Sequence, residues 1–278
     1  LEKAQESIRK PIGMILVTGP TGSGKTTTLY TMMEILNTPA VNISTIEDPI
    51  EYRMPRINQT QVNPKIGLTF ASGLRSLVRQ DPNIIMVGEI RDNETASLAI
   101  NAALTGHLVL STLHTNTASG AIPRLIDMKV EPFLLSSTIN VIIAQRLVRK
   151  LKEDKLPYRL KPAEIKNMKK YCNLDRVLQI LIEEKIIGPE TEWLNIQFFR
   201  PKTSPDSPEG YQGRLGIYEM LQMDTTLREM TFRGQPMARL RDYAWQSGGM
   251  STLLQDGVRK VMAGHTTIPE LLRVVAAV

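Results

Sequence analysis

The chain has 278 residues, with 34 basic and 28 acidic side chains for a net charge of +6, long enough to bury a core as one large domain or two smaller ones. The basic excess is mild and dispersed, which suits a solvated surface as well as a nucleic acid or an anionic membrane. A single cysteine, Cys172, excludes an intramolecular disulfide and a cysteine zinc cluster and fits a reducing cytoplasm.

Residues 1–9 read as a short polar helix ahead of Pro11. No signal peptide is expected from the opening residues, and the start at Leu1 rather than Met leads us to expect a fragment. Residues 14–17 form an apolar, buried-strand pattern, and residues 27–36 carry Leu29, Met32, Met33 and Leu36 at helical spacing. Between them stands Gly19-Pro20-Thr21-Gly22-Ser23-Gly24-Lys25-Thr26-Thr27. Glycines there turn backbone N–H groups toward phosphates, the helix N-terminus adds partial positive charge, Lys25 reaches the β and γ oxygens, and the Thr26 hydroxyl suits Mg²⁺. The bland alternative, a glycine-rich turn, does not account for the strand before it and the helix after it.

Residues 41–46 read as a second strand ending in Glu47-Asp48-Pro49-Ile50-Glu51. In an open α/β sheet the ligand lies beyond the carboxyl ends of the strands, so carboxylates leaving there can face a nucleotide; otherwise Asp48-Pro49 is only a turn. Residues 56–63 read as a polar, extended excursion. Residues 69–80 read as a helix with Arg75 and Arg79 one turn apart, a weak phosphate fork or a solvated pair. The apolar strand 84–87 delivers Gly88-Glu89-Ile90-Arg91-Asp92, where Glu89 can hold a Mg²⁺-bound water or merely cap a helix. Helix 93–104 follows, stopped by Gly106. The next strand, 107–113, is bracketed by His107 and His114. A histidine at the strand's exit can donate to a γ-phosphate, and each alone also has a structural reading, His107 more than His114. His265 is assigned no role.

A helix and an apolar segment lead to Arg146, Arg149 and Lys150. The longest apolar span, 133–147, is interrupted by Ser136, Ser137, Thr138, Asn140 and Gln145 and falls short of a bilayer crossing. Residues 151–210 turn rich in Lys, Glu and Pro, with a helix at 175–184 and a Pro-rich loop at 201–210, the composition of a surface module. A strand at 215–221 and three short helices close the chain. Pro236 starts one, Gly248 stops it, Gly264 ends the next, and Thr267 with Glu270 forms a capping box for the last.

Taken together these strings resemble the C-terminal ATPase domain of the type II secretion and type IV pilus assembly ATPases. The resemblance rests on Walker A (Leu16 to Lys25), the aspartate box (Ile46-Glu47-Asp48-Pro49-Ile50-Glu51), Walker B (Val87 to Asp92) and a histidine box from Thr105-Gly106-His107 to His114-Thr115-Asn116. It implies an α/β, RecA-like P-loop NTPase core with a largely parallel sheet over 1–150, an inserted module over 151–212, and a C-terminal strand and helical subdomain over 213–278. It further implies ATP and Mg²⁺, with Gly19, Pro20, Thr21, Gly22, Ser23, Gly24, Lys25, Thr26 and Thr27 around the nucleotide and Thr26 and Glu89 at the metal, Glu89 through water. Glu51 is the implied activator of water, with His107 and His114 near the active site. The implied assembly is a homo-hexamer with nucleotide between neighbouring subunits and arginines supplied by a preceding domain, so the chain alone is expected to turn over slowly. The implied setting is the cytoplasmic face of the inner membrane, reached through a platform protein of the pilus or secretion machinery, without direct nucleic-acid binding.

Gly213-Arg214-Leu215-Gly216-Ile217-Tyr218-Glu219, Gly248-Gly249-Met250 and Asp256-Gly257 resemble the assembly and secretion branch rather than the retraction branch. Members of that branch usually carry two Cys-x-x-Cys pairs before Gly213. Leu151-Lys152-Glu153-Asp154 stands where the first would be and Thr203 to Asp206 where the second would be, so no zinc is expected. The module is then expected to hold itself through Val177, Leu178, Ile180, Leu181 and Ile182. Asn83 replaces the family's usual aspartate, with little expected effect. Two other classes stay open: a nucleic-acid translocase, against which only 5% aromatic content offers no stacking platform, and a nucleotide-binding scaffold without turnover.

Overall fold

The computed structural model describes residues 6–170, 174–183, 185–247 and 250–275. The described residues of Leu1–Gln145 and Glu219–Met250 form one compact unit, and those of Arg146–Tyr218 and Ser251–Val278 a second. This division distributes residues 213–278 over both units, where the resemblance implied a single terminal subdomain. A boundary drawn along the sequence is continuous, whereas a core gathers apolar faces from any part of the chain.

The first unit is built on parallel strands. β1 (Gly13–Thr18) leads to α1 (Lys25–Leu36), then to β2 (Ile43–Glu47), β3 (Ile57–Gln61), α2 (Phe70–Val78), β4 (Ile84–Val87), α3 (Asn93–Leu104) and β5 (Leu108–Leu113). Next come α4 (Ala121–Asp127), α5 (Pro132–Thr138) and β6 (Ile139–Leu151). Within an eight-stranded sheet, the run β6-β1-β5-β4-β2-β3 has every neighbouring pair parallel. All residues of β1, β2, β4 and β5 are buried, as expected where helices cover both faces of a parallel sheet and strands lose their polar alternation. α1 packs on β1 and β5, and α2 packs beside α3. Gly13 has φ 112°, and a Cβ there would come within 2.4 Å of Asn140 Nδ2, which itself donates to the Ile12 carbonyl at 2.8 Å. That close approach is what the strand's first residue must accommodate.

Two features of this unit depart from the expected elements. The polar stretch after residue 56 is a parallel strand, β3, on the edge of the sheet. Its half-exposed Asn and Gln residues are tolerated there because only one side of an edge strand pairs. The chain after the module also holds one helix more than expected, α8 (Thr225–Phe232), preceded by strand β9 (Tyr211–Gln222) and followed by α9 (Met237–Gln246). Asp224 caps α8 by accepting from Leu227 N–H at 2.7 Å. Arg228 donates to the Ser136 carbonyl and to the Ile139 carbonyl at 2.8 Å, satisfying carbonyls that the end of α5 leaves open. Only Leu227 and Thr231 of this helix are buried, too sparse a stripe to register as periodicity.

In the second unit β7 (Lys155–Arg159) and β8 (Gln197–Pro201) pair antiparallel. With them are α6 (Pro162–Met168), α7 (Leu174–Glu183), α10 (Leu253–Met262) and α11 (Ile268–Val275); a short strand β10 (Met250–Ser251) precedes α10. Val177 and Leu181 are buried and Leu178 packs against them, but they share one cluster with Phe198, Val258, Val261 and Leu271. The expectation that residues 151–212 hold themselves is therefore corrected: helices α10 and α11 complete their core. The side chain of Ile180 and all of Cys172, Gly248 and Gly249 lie outside the described residues. No helix among the described residues is long and apolar enough to cross a membrane.

The expected capping box at Thr267 is only half formed. Glu270 N–H reaches Thr267 Oγ1 at 3.4 Å, but the Glu270 carboxylate, 3% exposed, pairs instead with Arg149 at 2.8 Å and Arg273 at 2.9 Å. Burial alone would raise this carboxyl, and hydrogen bonds from Arg273 and Arg149 outweigh it, holding it at about 2 against an ordinary 4.5. At about 1.36 kcal/mol per unit that gap corresponds to about 3 kcal/mol. A carboxyl depressed by folding stabilises above its unfolded pKa, and the stabilisation fades as pH falls from there toward 2. Urea unfolding between pH 6 and pH 2.5 should show this loss, and Glu270→Gln should be less stable at pH 6 and flatter across that range.

Candidate active site

The parallel register fixes the site. Leu16 of β1 lies opposite Ser111 of β5, Ser111 opposite Val87 of β4, and Val87 opposite Ile46 of β2. These four residues form a row across the sheet, and just beyond it on the carboxyl side each strand releases its polar residues: the glycine loop, His114, Glu89 and the segment Glu47 to Glu51.

The loop is shaped by glycines with positive φ, Gly19 at 148°, Gly22 at 77° and Gly24 at 85°. Gly24 is the N-cap of α1 and makes the left-handed turn that brings the helix in, and no side chain caps the first turn. Its N–H groups and partial positive charge are therefore left for an anion. The Ser23 hydroxyl is buried with no hydrogen-bond partner among the described residues. Lys25 folds over the loop and donates from Nζ to the carbonyls of Gly19 at 3.0 Å and Pro20 at 3.1 Å. An uncapped helix end, an orphaned hydroxyl and a lysine at one loop are the donor set that a nucleotide's phosphates require, and the Thr26 hydroxyl with the Glu89 carboxylate suits the oxygen preference of Mg²⁺.

Lys25, Thr26, Asp48, Glu51, Glu89 and His114 line one cleft together with Glu47. Glu89, delivered by β4, is 11% exposed at its side chain and has Arg91 Nε at 2.5 Å and His114 Nε2 at 3.4 Å from Oε2. The Glu89 hydrogen bond raises the Arg91 guanidinium above its ordinary range. Thr112 Oγ1 donates to the Gly88 carbonyl at 2.7 Å and Ser111 Oγ to the Val87 carbonyl at 2.7 Å, tying β5 to the strand end that carries Glu89. The structure thus gathers Lys25, Thr26, Glu51, Glu89 and His114. Thr27 stands exposed on the helix start.

His107 is not brought there. It precedes β5 at the amino edge of the sheet, buried, with Nδ1 2.9 Å from the Ala102 carbonyl, and about 20 Å of strand at ~3.3 Å per residue separates it from His114. One strand cannot deliver both of its ends to one sheet edge. Arg75 forms an exposed pair with Glu94 at 2.6 Å, and neither it nor Arg79 lines the cleft. Asp92 caps α3, accepting from Thr95 N–H at 2.8 Å.

Sequence reasoning did not reach Tyr30 and Gln59, and it quoted Glu47 and Arg91 within their motifs without giving either a role of its own. Glu47 is 2% exposed and Tyr30 wholly buried. A phenol on the apolar face of α1 was the available signal, since a buried hydroxyl requires a partner.

A central buried strand opening through left-handed glycines into an uncapped helix, with β5 set between that strand and β4, and carboxylates leaving β4 and β2 on the same side, places the first unit among RecA-like P-loop α/β folds. Residues 1–273 match the family model described as type II/IV secretion system protein, and the chain belongs to that family. It is 49% identical over 274 residues to type II secretion system protein E of Xanthomonas campestris, covering 99% of this chain and 45% of that protein. It is 46% identical over 268 residues to the type IV pilus assembly ATPase PilB of Myxococcus xanthus, covering 96% of this chain and 44% of that protein. The chain spans about half the length of these curated relatives. Among solved structures, the pilus retraction motor PilT with bound ADP aligns over 99% of this chain and 64% of that one, with TM-score 0.68 and 30% identity. The ATPase DotB of Legionella pneumophila shares the fold at TM-score 0.69, 23% identity and full coverage of this chain, 64% of that one.

Proposed function

We propose that this chain is the ATP-hydrolysing motor domain of a machine that assembles a type IV pilus or a type II secretion pseudopilus. The observation that carries the reading is the convergence of Glu51, Glu89 and His114 on the cleft that holds Lys25 and Thr26. The relatives' names, secretion protein E and pilus assembly ATPase, support the branch. In this reading Lys25 and the α1 N-terminus receive the phosphates, and Lys25 offsets charge that grows on the γ oxygens during in-line attack. Thr26 and Glu89 are the residues that would hold Mg²⁺, which would supply positive charge against the phosphates. Glu51 accepts the proton of the attacking water, and His114, beside Glu89, donates toward the γ-phosphate. The working form is a homo-hexamer with nucleotide between subunits, at the cytoplasmic face of the inner membrane through a platform protein.

Mg²⁺-dependent phosphate release from ATP tests the reading directly. Absence of turnover in the protein with its preceding domain would leave a nucleotide-binding scaffold, and stimulation by DNA with steep salt dependence would make it a translocase. The two histidines should separate cleanly. His114→Ala should slow turnover about tenfold with ATP affinity kept, whereas His107→Phe should leave turnover within about twofold and cost about 1 kcal/mol of stability through the lost bond to Ala102. Phosphate release and thermal unfolding on both variants check this.

A further inference from the structure

The loop that carries Glu51 is held from below by side chains of α1 and β3. The Tyr30 hydroxyl donates to Glu47 Oε2. A carboxylate only accepts, so the phenol's single proton is committed to it and the phenol oxygen is left as an acceptor. That oxygen receives the Glu51 backbone N–H at 3.4 Å and Gln59 Nε2 at 3.3 Å. Gln59 also donates to Glu47 Oε1 at 3.2 Å and to the Tyr52 carbonyl at 3.1 Å, and its Oε1 accepts from Met54 N–H at 2.8 Å. The Tyr30 ring is fixed edge-on against Tyr52, with centroids 4.7 Å apart at 75°. Burial first, then the hydrogen bond and charge of Glu47, push the Tyr30 phenol above its ordinary range, so it stays a neutral donor at working pH.

We propose that Tyr30 and Gln59 are positioning residues for Glu51: oriented by the buried Glu47, they anchor the backbone of residues 51–54 so that the Glu51 carboxylate is presented to the cleft at one height. The inference rests on the reading of Glu51 as the group that activates water. The geometry itself does not, because it consists of hydrogen bonds that join Tyr30, Glu47 and Gln59 and tie them to the backbone of Glu51, Tyr52 and Met54. Misplacing a general base by a fraction of an ångström reduces turnover and spares phosphate binding, which the glycine loop and Lys25 supply separately.

Tyr30→Phe removes one hydroxyl and keeps the ring. It should lower kcat for ATP about tenfold while KM and ATP affinity stay within about twofold, and it should speed tryptic cleavage after Arg53, an exposed residue of the loop, several-fold over cleavage elsewhere. Gln59→Leu should do the same. If both act through one loop, the double variant should lose little more than the worse single one. Tyr30→Phe with wild-type kcat and wild-type cleavage after Arg53 would overturn the proposal, as would additive losses. A uniform rise in cleavage at all sites with a lower melting temperature would also overturn it, reducing Tyr30 to a core residue. If the unaltered protein does not hydrolyse ATP, the proposed function fails, and cleavage after Arg53 still decides what Tyr30 does.

Discussion

Lys25→Ala is expected to lower ATP turnover by about 10³-fold or more, with the fold intact. The lysine lies across the glycine loop with its Nζ on the carbonyls of Gly19 and Pro20, so its charge sits where transferred phosphate would rest. Removing a donor aimed at developing charge costs about 10²–10³ in rate. A full positive charge in a partly buried cleft is worth more than a neutral donor, hence the larger figure. The side chain is only partly buried and the two carbonyls can turn to water, so thermal unfolding without nucleotide should move by no more than about 2 °C. Phosphate release and a melting curve on the same preparation decide it. Wild-type turnover in this variant would remove the glycine loop from the chemistry and the function with it.

Glu51→Gln is expected to separate binding from turnover. The substitution keeps the side chain's shape and its place on the cleft wall while taking away its basicity. ATP affinity should therefore stay within about threefold, and turnover should fall by about 10²–10⁴, the range a positioned general base contributes. Glu89 cannot substitute, because its carboxylate is engaged by Arg91 and faces His114. Equilibrium binding of a fluorescent ATP analogue alongside phosphate release gives both numbers. A loss confined to affinity would assign the base to another carboxylate, with Asp48 the neighbour on the same cleft wall.

Much of this site could be read before any coordinates. A parallel sheet emits every carboxyl end on one side, and the row Leu16, Ser111, Val87, Ile46 turns that topological rule into proximity. Four strand-then-polar strings were therefore enough to place Lys25, Thr26, Glu51, Glu89 and His114 together. The same rule, applied to both ends of β5, excludes His107. What stayed hidden depends on side chains meeting across elements. Tyr30 looks like one more apolar helix position until Glu47 is found beneath it. α8 announces itself by a cap and an arginine that serves another helix rather than by a hydrophobic stripe. The second unit was opaque for a simpler reason, since six of the sixteen buried residues of its cluster come from the later segment 253–274.

That discontinuity governs how the molecule comes into being. On a ribosome the strands up to Gln145 emerge first, yet Leu221, Met223, Leu227 and Leu240, which belong to the same hydrophobic cluster, are translated only after the whole of Arg146–Tyr218. Those intervening residues in turn wait for Val258, Val261 and Leu271. Neither unit can complete its core until these later residues have been made. Apolar surface that these late residues cover stays open until they have been made, the condition under which a nascent chain is prone to aggregate.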